Sequence, residues 1–378
     1  MPFPREFKLV AACCRWPPSP EREAAVRVAA GDSVDWPFLL RVTRRHRVEG
    51  LVHDGLARAG IAVPGDTGAA LAAAGAAVAL ENLAFAAEAH RLRRAFDSAG
   101  IDFLFVKGVT LAMLAYGTLA LKRAVDIDMA IAAPAQGAAF ALLAESGYRC
   151  VEPGPEASEA EILAWTARNK HSAWRLGSIL VELHASLVDS PRLLLGVSLD
   201  SPRREVAVSG GISLPTLAAD ELFAYLCVHG ATHAWSRLKW LADVNALLSD
   251  ADDGDLVRLH RRSVELGGGR TGGQALLLCN ALFGLALPDT LAAELRSDGG
   301  TRRIADTALE SMVRGGADAE LDAQMLGTTA IHISHLRFER GWRFKAAEIA
   351  RKLGSVGGSP LLALPRWLLR RARGSAKG

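Results

Sequence analysis

The feature that most constrains this chain is residues 125–131, where bulky apolar side chains stand at every second position, as along a half-buried β-strand. Asp126 and Asp128 lie between them, so both carboxylates project from the same face of the strand. Two like charges side by side on an apolar strand repel each other unless a positive group joins them. A divalent cation such as Mg²⁺, which prefers oxygen ligands, is such a group. The pattern therefore predicts a metal site, and a solvated strand face is the alternative.

A third acidic residue completes the predicted site. Residues 179–187 form another strand-like run, in which Glu182 stands alone between apolar neighbours. His184 lies two positions further on and so on the same face, either beside the acids or in a purely structural role. If the two strands are neighbours, Asp126, Asp128 and Glu182 together supply the carboxylates of a divalent-metal site.

Groups suited to binding phosphate precede the acidic strand. Residues 101–106 predict a short strand and residues 109–116 a helix, so Lys107 and Gly108 stand where the helix begins. A glycine lets a phosphate approach the amides of a helix N-terminus, and a lysine adds a point charge. Arg123 is a second cation close to the acids. Phosphate ligands beside metal ligands are what chemistry on a nucleoside triphosphate requires.

The whole chain predicts an α+β fold. Of its 378 residues, 50% are hydrophobic and 22% are charged, which is typical of globular proteins and excludes fibrous or wholly disordered classes. Residues 36–59 predict one helical stretch, and residues 151–158 predict a loop. We expect four regions, namely N-terminal helices, a small mixed-sheet core, a helical domain and a C-terminal helical region with a basic tail, at residues 1–78, 79–214, 215–300 and 301–378.

Taken together, these motifs resemble those of the uncharacterised bacterial nucleotidyltransferases of the polymerase-beta superfamily. In chain order they are a strand, Lys107-Gly108, a helix with Tyr116, then Arg123, the Asp-x-Asp strand and a Glu-x-His strand. The resemblance covers residues 35–290 and extends to Asn82 and to the helical segment around His229 and His233. One departure is that Lys107-Gly108-Val109 stands where the superfamily has a Gly-Gly or Gly-Ser pair. The resemblance implies a polymerase-beta-like mixed sheet flanked by N-terminal helices and a C-terminal helical domain.

The resemblance also implies an activity, the transfer of a nucleoside monophosphate from ATP or another NTP to an acceptor hydroxyl, with release of pyrophosphate. Mg²⁺, or Mn²⁺ in its place, is the implied cofactor. The acceptor stays open among a small molecule, an RNA 3′ end and a protein side chain. Asp126 and Asp128 would bridge the metal ions, and Glu182 would hold the ion on the nucleophile side. The residues expected around the nucleotide are Lys107, Gly108, Arg123, His184, His229 and His233. The last two, at i and i+4 of one helix, also fit a buried pair or two zinc ligands.

Two other classes of function stay open. The chain could be a catalytically idle scaffold that keeps the fold for binding, or an RNA-binding protein that uses its basic tail. Residues 337–378 hold eleven Lys and Arg against two Glu, a composition that suits RNA phosphates, an anionic membrane surface or a merely solvated terminus. Five scattered cysteines without a C-x-x-C pair indicate reduced thiols and a cytoplasmic location. No targeting or membrane-spanning segment is predicted.

Overall fold

The computed structural model describes residues 3–31, 33–314 and 325–355 and has the predicted α+β fold. The first part is helical, with α1 (Arg5–Cys13), α2 (Pro20–Ala30), α3 (Trp36–His46), α4 (Glu49–Arg58) and α5 (Gly65–Ser98). The mixed part follows, with β1 (Phe103–Phe105), α6 (Gly108–Tyr116), β2 (Ile127–Ile131), α7 (Gln136–Glu145), β3 (Arg149–Glu152), α8 (Glu159–Asn169), β4 (His171–Leu176), β5 (Ile179–His184), β6 (Arg203–Ser209) and β7 (Ile212–Leu217). The helices that complete the described chain are α9 (Ala219–Thr232), α10 (Leu238–Leu247), α11 (Asp253–Glu265), α12 (Thr271–Phe283), α13 (Asp289–Ser297), α14 (Gly299–Arg314), α15 (Met325–His335) and α16 (Trp342–Ser355).

Two segments differ from the sequence prediction. The helical stretch expected at residues 36–59 is divided into α3 and α4, because Arg47 has a left-handed backbone (φ 53°) that ends α3. The loop expected at residues 151–158 is shorter, since β3 takes its first residues and α8 begins directly after it. Ser158 and Glu161 form a capping box there, in which each side chain accepts a hydrogen bond from the other residue's backbone N–H.

The main sheet places two acidic residues side by side. Its five strands have the order β1-β2-β5-β4-β3, with β2 and β5 parallel and the other neighbours antiparallel. Asp128 of β2 is in register with Glu182 of β5. On the opposite face of the same strands, Met129 is fully buried against the core, and Trp174 of β4 stacks on Phe140 of α7 at 5.5 Å. The apolar face therefore anchors the sheet, and the carboxylates project from its other side.

The apolar core has two parts. One part lies between the sheet, α5 and α7, and it contains Met129, Phe96 and Phe140. The other part joins the first helices to the helices after residue 219, since side chains of α1, α4, α9, α10 and α12 belong to one buried cluster. His46 at the end of α3 links the same two regions, because its Nδ1 accepts a hydrogen bond from Leu238 N at 3.0 Å. The four predicted regions stay a prediction, and α5 runs without a break through residue 79.

A buried asparagine fixes the connection between α6 and β2. Asn82 of α5 is fully buried, and its Nδ2 donates hydrogen bonds to the carbonyls of Leu119 at 2.5 Å and Lys122 at 2.6 Å. Its Oδ1 accepts a hydrogen bond from Ala124 N at 3.2 Å. One side chain therefore satisfies three backbone groups of an irregular segment that ends two residues later at Asp126.

Helix α5 is also long and apolar enough to cross a bilayer, by length and composition alone. This is weak evidence, because a core helix of a protein without membrane spans passes the same test. Leu92 and Phe96 of α5 are buried in the core, and Arg93 donates to the Ser213 carbonyl and to Glu205, both at 2.6 Å. In this fold α5 is a packing element, and the absence of a membrane span stays a prediction.

The basic tail lies partly outside the described residues. Its end, residues 356–378, which includes the basic run at 365–373, falls outside the described ranges. In the part that is described, Arg351 of α16 pairs with Glu348 at 2.6 Å. The predicted contacts of the tail with RNA or with an anionic membrane surface stay predictions.

We expect Asn82→Ala to lower the free energy of unfolding by about 3 kcal/mol, because it leaves two buried carbonyls and one buried N–H without their partner. Chemical denaturation monitored by circular dichroism measures the change. Asn169→Ala, at the exposed end of α8, is the matched control and should change stability by less than about 0.5 kcal/mol. Equal stability of the two variants would contradict the assigned role of Asn82.

Candidate active site

Three carboxylates meet at one edge of the parallel strand pair. Asp128 and Glu182 are in register on β2 and β5, and Asp126 lies just before β2. One oxygen from each carboxylate can be chosen so that all three lie within 4.8 Å of one another. The structure therefore brings Asp126, Asp128 and Glu182 together in an arrangement compatible with divalent metal binding.

Two cationic groups hold one oxygen of Asp128, while its second oxygen is left unpaired. Lys107 Nζ lies 3.0 Å from Asp128 Oδ1, and His184 Nε2 lies 2.9 Å from the same atom. His184 Nε2 is also 3.3 Å from Glu182 Oε2. Asp128 Oδ2 is buried and has no hydrogen-bond partner among the described residues. A buried carboxylate oxygen without a donor fits a metal ligand, because a bound cation would supply the missing positive partner.

The pKa values of Asp126 and Asp128 are shifted in opposite directions. Burial acts to raise the pKa of Asp128, but Lys107 and His184 outweigh it and hold that pKa well below its usual range. Burial acts to lower the pKa of His184, but its hydrogen bonds to Asp128 and Glu182 raise it. For Asp126, burial and the neighbouring Asp128 raise the pKa to about 7. Near neutral pH and without a cation, Asp126 therefore carries only part of its negative charge.

A second set of ligand atoms overlaps the first. One ligand atom each of His171, Glu182 and His184 also lie within 4.8 Å of one another, because His171 is in register with His184 across β4 and β5. The two rings are 5.1 Å apart. His184 Nε2 is already held by Asp128 and Glu182, while His171 Nδ1, His184 Nδ1 and Asp128 Oδ2 are all buried without a hydrogen-bond partner in the described part of the chain. The all-carboxylate set differs in offering three oxygen ligands, which suit a hard divalent cation better than the mixed set does. We therefore assign the histidines to the surroundings of the acids.

The three residues predicted to bind phosphate all line the cleft that contains the acids. Gly108 has φ +64°, and a Cβ there would lie 3.4 Å from the Asp126 carbonyl oxygen, so the turn into α6 favours glycine. Lys107 is paired with Asp128, as described above. Arg123 is held by two acids, Glu49 Oε1 at 3.3 Å and Glu81 Oε1 at 3.1 Å. A phosphate contact by Lys107, Gly108 or Arg123 stays a prediction.

The two histidines of α9 lie on the other wall of the cleft. His229 and His233 have ring centroids 4.8 Å apart, and His233 stacks on Trp240 of α10 at 5.1 Å. Burial and the nearby Lys107 lower the pKa of His229, which keeps its imidazole neutral. Neither histidine belongs to a group of potential metal ligands within the described residues. The pair therefore forms an aromatic wall facing the cleft, and its nucleotide contact stays a prediction.

Two buried lysines, Lys122 and Lys239, were not predicted as part of the site, and Asp243 was expected only as a position of the family resemblance. Lys239 and Asp243 of α10 line the same cleft, together with Lys122 from the connection fixed by Asn82. Lys122 Nζ lies 3.7 Å from Asp243 Oδ2. A signal was present, because Lys239 and Asp243 are four residues apart within an otherwise almost entirely apolar helix.

We expect Asp126→Asn to raise the free energy of unfolding of the metal-free protein by about 2–4 kcal/mol at pH 8, measured by chemical denaturation with a chelator present. The raised pKa means that the folded state resists ionisation of Asp126. The resulting loss of stability is absent below the ordinary aspartate pKa of 3.8, grows as the pH rises towards about 7, and is constant above it.

The gain from Asp126→Asn should therefore be smaller at pH 5 than at pH 8. Asp306→Asn on the exposed side of α14 is the control, with an expected change below about 0.5 kcal/mol at both pH values. A wild-type stability at pH 8 equal to that of Asp126→Asn would show that this carboxylate is not destabilised by the fold.

Sequence comparisons bear on the same region. Residues 32–284 match a protein family described as uncharacterised nucleotidyltransferase. The match covers well over half of the 378 residues and contains all the cleft residues described above. A comparison with curated proteins gives no match. The predicted resemblance is thereby confirmed, and the chain belongs to this uncharacterised nucleotidyltransferase family.

Proposed function

We propose that this protein is a Mg²⁺-dependent nucleotidyltransferase that moves a nucleoside monophosphate from an NTP to an acceptor hydroxyl. Family membership supports nucleotidyl transfer in general and an NTP as substrate. The observation that carries the proposal is the convergence of Asp126, Asp128 and Glu182, with one buried oxygen of Asp128 left without a partner. An acidic cluster that served only the fold would be expected to have all its buried oxygens paired.

The donor set favours a hard cation. Three carboxylates offer oxygen ligands, which suits Mg²⁺ or Mn²⁺ better than a metal that prefers nitrogen or sulfur. Bound there, divalent cations would lower the pKa of the acceptor hydroxyl and neutralise charge on the phosphates. Asp126, Asp128 and Glu182 would hold these cations, with Glu182 on the side of the acceptor.

The remaining residues of the site orient these ligands. His184 contacts both Asp128 and Glu182, so it fixes the relative position of two carboxylates on adjacent strands. Lys107 fixes the same oxygen of Asp128 from the start of α6. Both contacts fall on Oδ1 of Asp128 and leave its Oδ2 without a partner among the described residues.

The proposed reaction is a displacement at the α-phosphorus of the NTP. The acceptor oxygen forms a bond with the α-phosphorus of the NTP, and the bond from that phosphorus to the bridging oxygen breaks. Pyrophosphate leaves, and the acceptor proton passes to solvent. The acceptor is a hydroxyl of a small molecule, an RNA end or a protein side chain, and a cytoplasmic location belongs to the same proposal.

Asp128→Asn should abolish this activity, because it removes the carboxylate that is in register with Glu182 and paired with Lys107. We expect label transfer from α-³²P NTPs to components of a cell extract, in the presence of Mg²⁺, to fall about 100-fold or more. Asp306→Asn is the control and should transfer label like the wild type. Thermal shift with Mg²⁺ and NTP supplies a second measurement.

Transfer by Asp128→Asn at the wild-type rate would overturn the proposal. So would a wild-type protein that transfers no label and shows no Mg-NTP-dependent thermal shift, a result that favours the idle scaffold. RNA binding that is sensitive to salt and survives Asp128→Asn, without any transfer, would favour the RNA-binding alternative.

A further inference from the structure

One lysine in the cleft is buried without a carboxylate partner. Lys239, in the first turn of α10, is only 9% exposed, and no ion pair among the described residues includes it. The ring of Trp240 lies beside it, with its centroid 6.0 Å from the ammonium nitrogen. Burying an ammonium group without a counter-ion is costly, so an anion bound beside this lysine would stabilise its charged form.

Two further cations share this end of the cleft. Lys122 is 7% exposed and lies 3.7 Å from Asp243, and Arg47 lines the same cleft from the end of α3. Asp243 Oδ1 also accepts a hydrogen bond from Tyr116 Oη at 3.1 Å. Lys122 and Lys239 therefore both act on the carboxylate of Asp243, and Arg47 lines the same cleft. Burial, with Lys122 and Arg47 nearby, lowers the pKa of Lys239 to about 7, which shows how unfavourable an uncompensated charge is at this point.

The cationic end lies on one particular side of the three acids. Lys107 and Lys239 both act on the carboxylate of Asp126, whereas Glu182 is influenced by His184, Asp128 and His171 and not by Lys239. The cleft therefore has a direction, from Lys239 past Asp126 and Asp128 to Glu182. An NTP whose α-phosphate lies at the shared aspartates would point its outer phosphates towards Lys239 and its attacked side towards Glu182.

The cations predicted from the sequence are already compensated. Arg123 contacts Glu49 and Glu81, and Lys107 pairs with Asp128. The position of Lys239 is fixed independently, because the backbone N–H of Leu238 donates to His46 Nδ1 at 3.0 Å and thereby joins the start of α10 to the helix that ends beside Arg47. The start of α10 therefore holds Lys239 in place, and its ammonium group forms no ion pair among the described residues.

We propose that Lys239, supported by Lys122 and Arg47, binds the β- and γ-phosphates of the NTP, so that pyrophosphate leaves from this end of the cleft. The assignment rests on the proposed nucleotidyl transfer for the identity of the ligand. It makes Lys239 a substrate-binding residue that distinguishes a triphosphate from a monophosphate, while the acids perform a separate task.

The test uses inorganic tripolyphosphate as the probe, with a chelator present, so that no metal ion contributes to binding. Isothermal titration calorimetry on the full chain should show Lys239→Met binding tripolyphosphate about tenfold or more weakly than the wild type. Lys345→Met, an exposed lysine of α16, is the matched control and should bind like the wild type. Lys239→Met should fold, because methionine removes a buried charge and keeps most of the packing volume, and its thermal unfolding verifies this.

A second readout is kinetic. With Mg²⁺, Lys239→Met should raise KM for the NTP about tenfold or more, in contrast to the loss of turnover expected for Asp128→Asn. A folded Lys239→Met with wild-type tripolyphosphate affinity would overturn the phosphate assignment, even if the protein transfers nucleotides. Conversely, failure of transfer would overturn the proposed function while a tenfold loss of tripolyphosphate binding would still support an anion site at Lys239.

Discussion

Mutual repulsion of three carboxylates is the constraint on which the architecture of the site depends. Asp128 and Glu182 are fixed side by side by the parallel pairing of β2 and β5, and Asp126 adds a third charge next to them. The fold offsets this repulsion only in part. Lys107 and His184 compensate one oxygen of Asp128, while burial and then the neighbouring Asp128 raise the pKa of Asp126, so its negative charge is not fully compensated within the protein. The remaining imbalance is what a cation would relieve.

The same cleft also contains a cluster of buried basic side chains. Lys122 and Lys239 are buried near a single carboxylate, Asp243, so basic side chains outnumber acidic ones there. A purely structural core would not be expected to contain two such regions of opposite sign. Their proximity matches the charge distribution of a metal–triphosphate complex, which is positive at the metal and negative along the phosphates. This distribution of charge supports the proposed Mg²⁺–NTP substrate.

The acidic half of the site could be predicted from the sequence, because its signals are local. Alternation over residues 125–131 fixes which face Asp126 and Asp128 share, and a lone Glu182 in an apolar strand marks the third acid. The cationic half depends on tertiary contacts that no local pattern records. Lys239 and Lys122 line the same cleft because Asn82 fixes the connection before β2 and because α10 packs beside α6. The division of the stretch at residues 36–59 was missed for a similar reason, since Arg47 adopts a backbone conformation that its residue type rarely favours.

The shared core of the first and later helices has a consequence for how the chain is made. Helix α1 contributes Leu9 and Val10 to a cluster whose other members include Leu241 of α10 and Leu276 of α12, more than two hundred residues further along. During synthesis, part of the apolar surface of α1 therefore stays exposed until α10 and α12 have left the ribosome and can pack against it. Over that interval they are a natural target for chaperones.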